Sequence, residues 1–294
     1  MKRRKLFFSF AALCLLCLGP AATKPSTAQQ SFPVEAWNKP FKPFRIIGNI
    51  HYVGTNNLAC YLLTTPQGHI LIDTALQESA PIVRANIAAL GFKLKDIKII
   101  LSSHAHFDHV AGHAEMKAAT GAQVYATAAD AVVLESGGKQ GFFPLTPYKP
   151  VKVDKVLNDG EVVRLGKVAL TAHLTPGHTE GNTTWTTTVE DGGKQYNVVF
   201  VGSMSINDGV HLVNFPAWPD IAAAYAKSFQ TLKALPCDVF LGPHAPFFAL
   251  EAKVKLLDAK TRTNPFIDPA GYQNYIAGYE KSYHEQLQKE QTSR

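Results

Sequence analysis

Apolar positions in this chain gather in short runs broken by Gly, Pro and Asp, the pattern of strands alternating with helices. Strands are expected over Phe44–Val53, Cys60–Thr65 and His69–Asp73, then a helix near Ala80–Leu90 that Gly91 stops. The run Ile97-Lys98-Ile99-Ile100-Leu101 reads as a buried strand, followed by a helix near Ala111–Thr120 and a short strand at Gln123–Tyr125. A second set follows: Val168–Ala172, Thr183–Thr187 and Val198–Val201, a helix near Asp220–Ala234, and a last strand at Val239–Leu241. This β-then-α cadence, occurring twice, predicts an α/β domain. Tyr272–Leu287 reads as a terminal helix, and surface packing accounts for its Tyr275, Tyr279 and Tyr283 at i, i+4 spacing.

Composition changes this picture at the N-terminus. Lys2, Arg3, Arg4 and Lys5 precede an apolar run from Leu6 to Gly19, and Ser26-Thr27-Ala28 offers a small-residue cleavage site. Residues 1–28 read as a signal peptide, too short to span a bilayer, with a retained anchor as the alternative. The expected location is periplasmic or secreted, free of the membrane once the signal is cut. Cleavage takes five positive charges and no negative ones from a net +6, leaving +1. No basic run with interleaved aromatics remains, which excludes nucleic acid as a partner. Residues 29–294 fit one domain, expected to be monomeric, and no low-complexity tract or linker interrupts them. Cys60 and Cys237 survive cleavage in apolar contexts, either as free thiols or as a bridge.

The chemistry concentrates in Ser103-His104-Ala105-His106-Phe107-Asp108-His109, directly after the buried strand. Imidazole and carboxylate are the ligands that suit zinc and its neighbours. On extended backbone His104 and His106 point the same way, while Asp108 and His109 follow on the turn and can face a second ion. His178 sits in a Pro-Gly-His turn between two strand-like runs, and His244 follows Gly242-Pro243 at the end of another. Strand ends converging on one edge are where α/β proteins place their sites.

The motif His104-x-His106-x-Asp108-His109, then His178, then His244, resembles the metallo-β-lactamase superfamily in order and spacing, from about Pro43 to about Pro269. The resemblance implies an αβ/βα four-layer sandwich with two mixed sheets flanked by helices. It implies two Zn2+ per chain, one on His104, His106 and His178, the other on Asp108, His109 and His244. Asp73, in Leu71-Ile72-Asp73-Thr74, is similar to an aspartate that orients the metal loops; capping of the following helix is the other reading.

Ser203, in Val201-Gly202-Ser203-Met204-Ser205, stands where many relatives place a metal-bridging Asp or a Cys ligand. Serine there is similar to the third subclass of class B β-lactamases, whose matching serines hold the substrate carboxylate, a role this assigns to Ser203 and Ser205. The implied reaction is hydrolysis of the β-lactam amide by a metal-activated hydroxide, with Asp108 orienting it. Phe142 and Phe143, in a glycine-rich loop, either cover the antibiotic's side chain or anchor the loop to the core. The arm around Trp37 is expected to rim the cleft. A tyrosine some relatives carry after the second serine is missing: the segment reads Asn207-Asp208-Gly209-Val210-His211, so Asn207 or His211 assists at the carbonyl oxygen or the zinc acts alone. Two other readings remain: a lactonase, ester or thioester hydrolase of the same fold, and a zinc-binding protein without catalysis.

Overall fold

In the computed structural model, which describes residues 32–142, 146–259 and 263–293, the first expected strand is a hairpin. A helical turn, α1 (Val34–Trp37), leads into β1 (Phe44–Ile47), and Gly48, at φ 51°, reverses the chain into β2 (Ile50–Tyr52). A positive φ lies outside the extended region, so a single strand over Phe44–Val53 breaks at this glycine, the residue type that adopts it without strain. β3 (Tyr61–Thr65) and β4 (Gly68–Ile72) continue the antiparallel meander.

From β4 onward the connections are helical and the strands parallel. α2 (Ala80–Ala89) leads to β5 (Ile97–Leu101), and α3 (Phe107–Val110) with α4 (His113–Thr120) to β6 (Gln123–Thr127). α5 (Ala128–Ser136) leads to β7 (Lys155–Leu157), completing seven strands in sequential order. The second sheet holds β8 (Val162–Leu165), β9 (Val168–Leu174), β10 (Thr183–Asp191) and β11 (Lys194–Phe200), all antiparallel. α6 (Ile221–Ala234) then returns the chain to β12 (Val239–Leu241), parallel to β11. α7 (Leu250–Asp258) and α8 (Pro269–Thr292) close the fold.

These are the two mixed sheets flanked by helices that the sequence implied. β4 is buried at every position, as a strand covered on both faces must be. The core lies between the sheets, joining Tyr61, Leu63, Ile70, Ile72 and Leu101 to Leu170, Ala172, Trp185, Val198 and Phe200. Trp185 Nε1 donates to the Ser102 carbonyl at 2.9 Å, tying β10 to the end of β5. The tyrosines of α8 belong to this core rather than the surface. Tyr275 and Tyr283 are buried, Tyr275 packs on Phe240 at 4.9 Å between centroids, and Tyr283 donates to the Ala222 carbonyl. Cys60 and Cys237 are both free thiols. The signal-peptide segment lies outside the described residues.

Strand direction places the chemistry. β4 and β5 are parallel, so Asp73 and Ser103–His109 emerge from one edge of the first sheet. β9, β11 and β12 run the same way, because β10 is antiparallel to both β9 and β11 while β12 is parallel to β11. His178, Ser203 and His244 therefore leave one edge of the second sheet.

Trp185→Phe keeps an aromatic ring but loses the indole N–H and part of its volume, leaving the Ser102 carbonyl without its donor at an expected cost of about 2–3 kcal/mol. Urea unfolding measures it; an unchanged midpoint would contradict the inter-sheet tie.

Candidate metal centre

The segment after β5 supplies four of six potential ligands, which fall into two groups of three. His104, His106 and His178 form one, and Asp108, His109 and His244 the other; within each group one donor atom per residue lies within 4.8 Å of the others. His106 Nδ1 and His178 Nε2 approach to 3.1 Å, and the His104 ring stands 4.7 Å from each of theirs, centroid to centroid. Asp108 Oδ2 is the apex of the second group, 3.3 Å from His109 Nε2 and 3.4 Å from His244 Nε2. The His104 and His109 rings, 4.3 Å apart, bring the two groups side by side.

Three of the imidazoles are held at Nδ1, which leaves Nε2 for the centre. His178 Nδ1 donates to the Ser205 carbonyl at 2.7 Å, and His244 Nδ1 to Asn57 Oδ1 at 2.8 Å. His104 Nδ1 lies 3.1 Å from Ser103 Oγ, and its Nε2 is buried with no partner. Gly177 makes the His178 turn possible: it sits at φ 148°, and a Cβ there would come 2.6 Å from the Tyr225 ring. Asp73 accepts from Ser103 N and Ser103 Oγ, both at 2.7 Å, and faces His109 Nδ1 at 3.6 Å. It does not cap a helix; it joins the two ligand groups.

The electrostatics match the donor chemistry. Burial depresses the pKa of His104, His106 and His244, and that of His178 to about 4, so these rings offer neutral nitrogen. Burial opposes charge on His109 as well, yet Asp108 and Asp73 lift its pKa to about 10. Burial likewise resists ionisation of Asp108, but His109 and His244 hold its carboxyl well below the usual range. A divalent cation held by Asp108 and His109 would have to displace the proton that this pair shares. Orphaned buried nitrogens, four neutral imidazoles and an ionised carboxylate fit divalent metal ions.

Comparison with known proteins agrees. Residues 54–244 match the sequence profile of the metallo-beta-lactamase superfamily. The chain belongs to that superfamily. Among solved structures, the native FEZ-1 metallo-beta-lactamase from Legionella gormanii is 47% identical, with a TM-score of 0.84 over 87% of this chain and 98% of that one. BJP-1, a subclass B3 metallo-beta-lactamase of Bradyrhizobium japonicum, is 40% identical with a TM-score of 0.80, over 87% and 97% of the two chains. The class B3 di-zinc enzyme LRA-12 from an Alaskan soil metagenome is 35% identical with a TM-score of 0.83, over 88% and 99%. Curated relatives are hydroxyacylglutathione hydrolases. That of Methylobacterium nodulans is 36% identical over 110 residues, 37% of this chain and 34% of its own length. That of Methylobacterium sp. strain 4-46 is 28% identical over 207 residues, 65% and 69%. The match spans about a third of the length of the first of these relatives.

The remaining residues singled out in this superfamily member separate into two places. Ser203 is buried, its Oγ 3.1 Å from Ser205 Oγ, and Ser205 in turn lies against His178. The Trp37 ring packs on His244 at 5.6 Å between centroids. Phe142 packs on Trp218 at 4.9 Å and lines a cavity with His106, Asp130, Tyr148 and Thr179, while Phe143 lies outside the described residues. His211 points elsewhere. It is exposed, 3.6 Å from Glu290 on α8, and shares an open groove with Asn207, Gln286 and Lys289. The reason is a clasp: Glu290 accepts from Leu212 N at 2.7 Å and Val213 N at 2.9 Å, pinning this loop to α8.

Sequence reasoning missed Asn57, Glu290 and His113. His113 is fully buried, its Nδ1 2.7 Å from Thr74 Oγ1 and its Nε2 3.0 Å from Ser102 Oγ. Its type was visible, but only the fold brings Thr74 and Ser102 to it.

The depressed imidazoles make stability pH-dependent. Below pH 6.5 the unfolded chain binds protons that native His104, His106, His113, His178 and His244 refuse, so the metal-free protein weakens as pH falls. Asp130, lifted to about 7 by burial, opposes this, since its stabilisation is full below 3.8 and lost on rising through 7. His109, lifted to about 10, opposes it as well, and five depressed imidazoles against these two groups predict a lower urea midpoint at pH 4.5 than at pH 6.5. Equal midpoints would contradict the burial of neutral rings.

Proposed function

We propose that this chain is a zinc-dependent β-lactamase of the third class B subclass, hydrolysing the amide bond of penicillins, cephalosporins and carbapenems. Residues 29–294 would form its mature domain, exported by a signal at 1–28 to the periplasm or beyond. The observation that carries the reading is identity of 47% with a β-lactamase over 87% of the chain, against 28% over 65% with the more fully aligned hydroxyacylglutathione hydrolase. Ser203 supports it. Where a carboxylate would bridge two ions in a thioester hydrolase, this chain has a buried hydroxyl bonded to Ser205.

The two triads would each hold one zinc. Bound there, the ions supply Lewis acidity for the carbonyl and a water whose pKa is lowered toward neutrality. The protein's own groups do the positioning. Asp108, kept ionised by His109 and His244, accepts a hydrogen bond from the attacking water and fixes its direction. Ser205 O and Asn57 hold the His178 and His244 rings in single orientations. Ser203 and Ser205 present adjacent hydroxyls to the substrate carboxylate. Trp37, packed on His244, shields that edge from water.

A second reading, thioester hydrolysis, follows from the curated relatives. Purified mature protein should open a carbapenem and a penicillin, lose the activity to a chelator, and regain it with zinc. Turnover of a hydroxyacylglutathione thioester without β-lactam opening would establish the second reading instead. Ser203→Ala should raise KM for β-lactams about tenfold, the worth of one hydrogen bond to a charged group, with metal content intact. An unchanged KM would remove Ser203 from the substrate site.

A further inference from the structure

Two left-handed residues stand where β4 ends. Asp73 has φ 60° and Ala75 φ 58°, conformations that cost a non-glycine residue on the order of 1 kcal/mol each. Such backbone persists only where its surroundings over-determine it. Here Asp73 N donates to Leu101 O, Thr74 N to His109 O at 2.8 Å, and Gly112 N to Ala75 O. The turn aims the Asp73 carboxylate at Ser103, beside His104, and at His109, so one ligand of each triad depends on it.

The side chain that closes this arrangement is His113, the first residue of α4. It uses both ring nitrogens, one on Thr74 between the two strained residues, the other on Ser102, immediately before Ser103. A neutral imidazole can serve both hydroxyls at once, donating through one nitrogen and accepting through the other. Burial, with His109 nearby, keeps the ring neutral down to about pH 3. Ser102 is fixed from the opposite sheet by Trp185, so His113 braces the strained turn against an anchored strand end.

We propose that His113 is a positioning residue for both metal triads, acting through Thr74 on the Asp73 carboxylate and through Ser102 on the strand end that carries His104. It touches neither substrate nor a reacting atom. The proposal rests on the two-ion reading of the triads and is independent of which substrate is cleaved.

Metal affinity is the readout. The full mature chain, stripped of metal, is titrated with zinc against a chromophoric chelator, and its cobalt(II) absorption spectrum is recorded. His113→Phe removes both bonds while keeping an aromatic ring, and should weaken zinc binding by about tenfold, the lower end of the effect of losing a group bonded directly to a ligand, and shift the cobalt bands. His113→Asn keeps a polar group near the Nδ1 position for Thr74 but loses the bond to Ser102, so it should recover only part of the affinity and bind zinc about fivefold more weakly than the parent; it also decides the matter should the Phe variant fail to fold. Affinity within twofold of the parent in every folded variant, with two ions still bound, would overturn the role of His113 alone. Parent protein that binds no zinc would overturn this role and the metal reading together.

Discussion

A carboxylate buried at the end of β4 fixes the geometry on which everything else depends. Asp73 takes the backbone amide and the hydroxyl of Ser103, and its second oxygen faces His109. Isolated in the interior such a charge would be costly; here its donors compensate it. Because those donors lie next to His104 and at His109, satisfying Asp73 also sets two ligands. The same economy recurs outward: the Ser205 carbonyl takes His178, and Asn57 takes His244. Held at Nδ1, the two rings turn Nε2 toward His106 and Asp108 respectively.

Strand direction supplies the framework at no extra cost. Parallel β4 and β5 deliver Asp73, Ser103, His104, His106, Asp108 and His109 at one edge, while β9, β11 and β12 deliver His178, Ser203, Ser205 and His244 at the facing one. The sheets are held in register by the core and by Trp185 bonding across to Ser102. Rigid strand ends, rather than mobile loops, are what two closely spaced ions require.

How much of this was legible follows from sequence separation. The cluster His104–His109 was readable because its donors are local and its residue types rare in ordinary loops. His178 and His244 were readable because turn residues mark them as strand ends. Asn57 was not, since its bond to His244 spans 187 positions. Nor was Glu290, whose clasp turns His211 away from the site. A lone His113 at a helix start carries no signal until Thr74 and Ser102 meet it. The Phe44–Val53 strand failed because apolar positions do not reveal a reversal at Gly48, and the α8 tyrosines because i, i+4 spacing marks a face without saying what covers it.

The central claim is that two triads hold two ions. Crystals of the mature protein grown with zinc, measured at the zinc absorption edge, test it most directly. The account predicts two anomalous peaks, one enclosed by His104, His106 and His178, the other by Asp108, His109 and His244. A single peak, or zinc held by other residues, would contradict it.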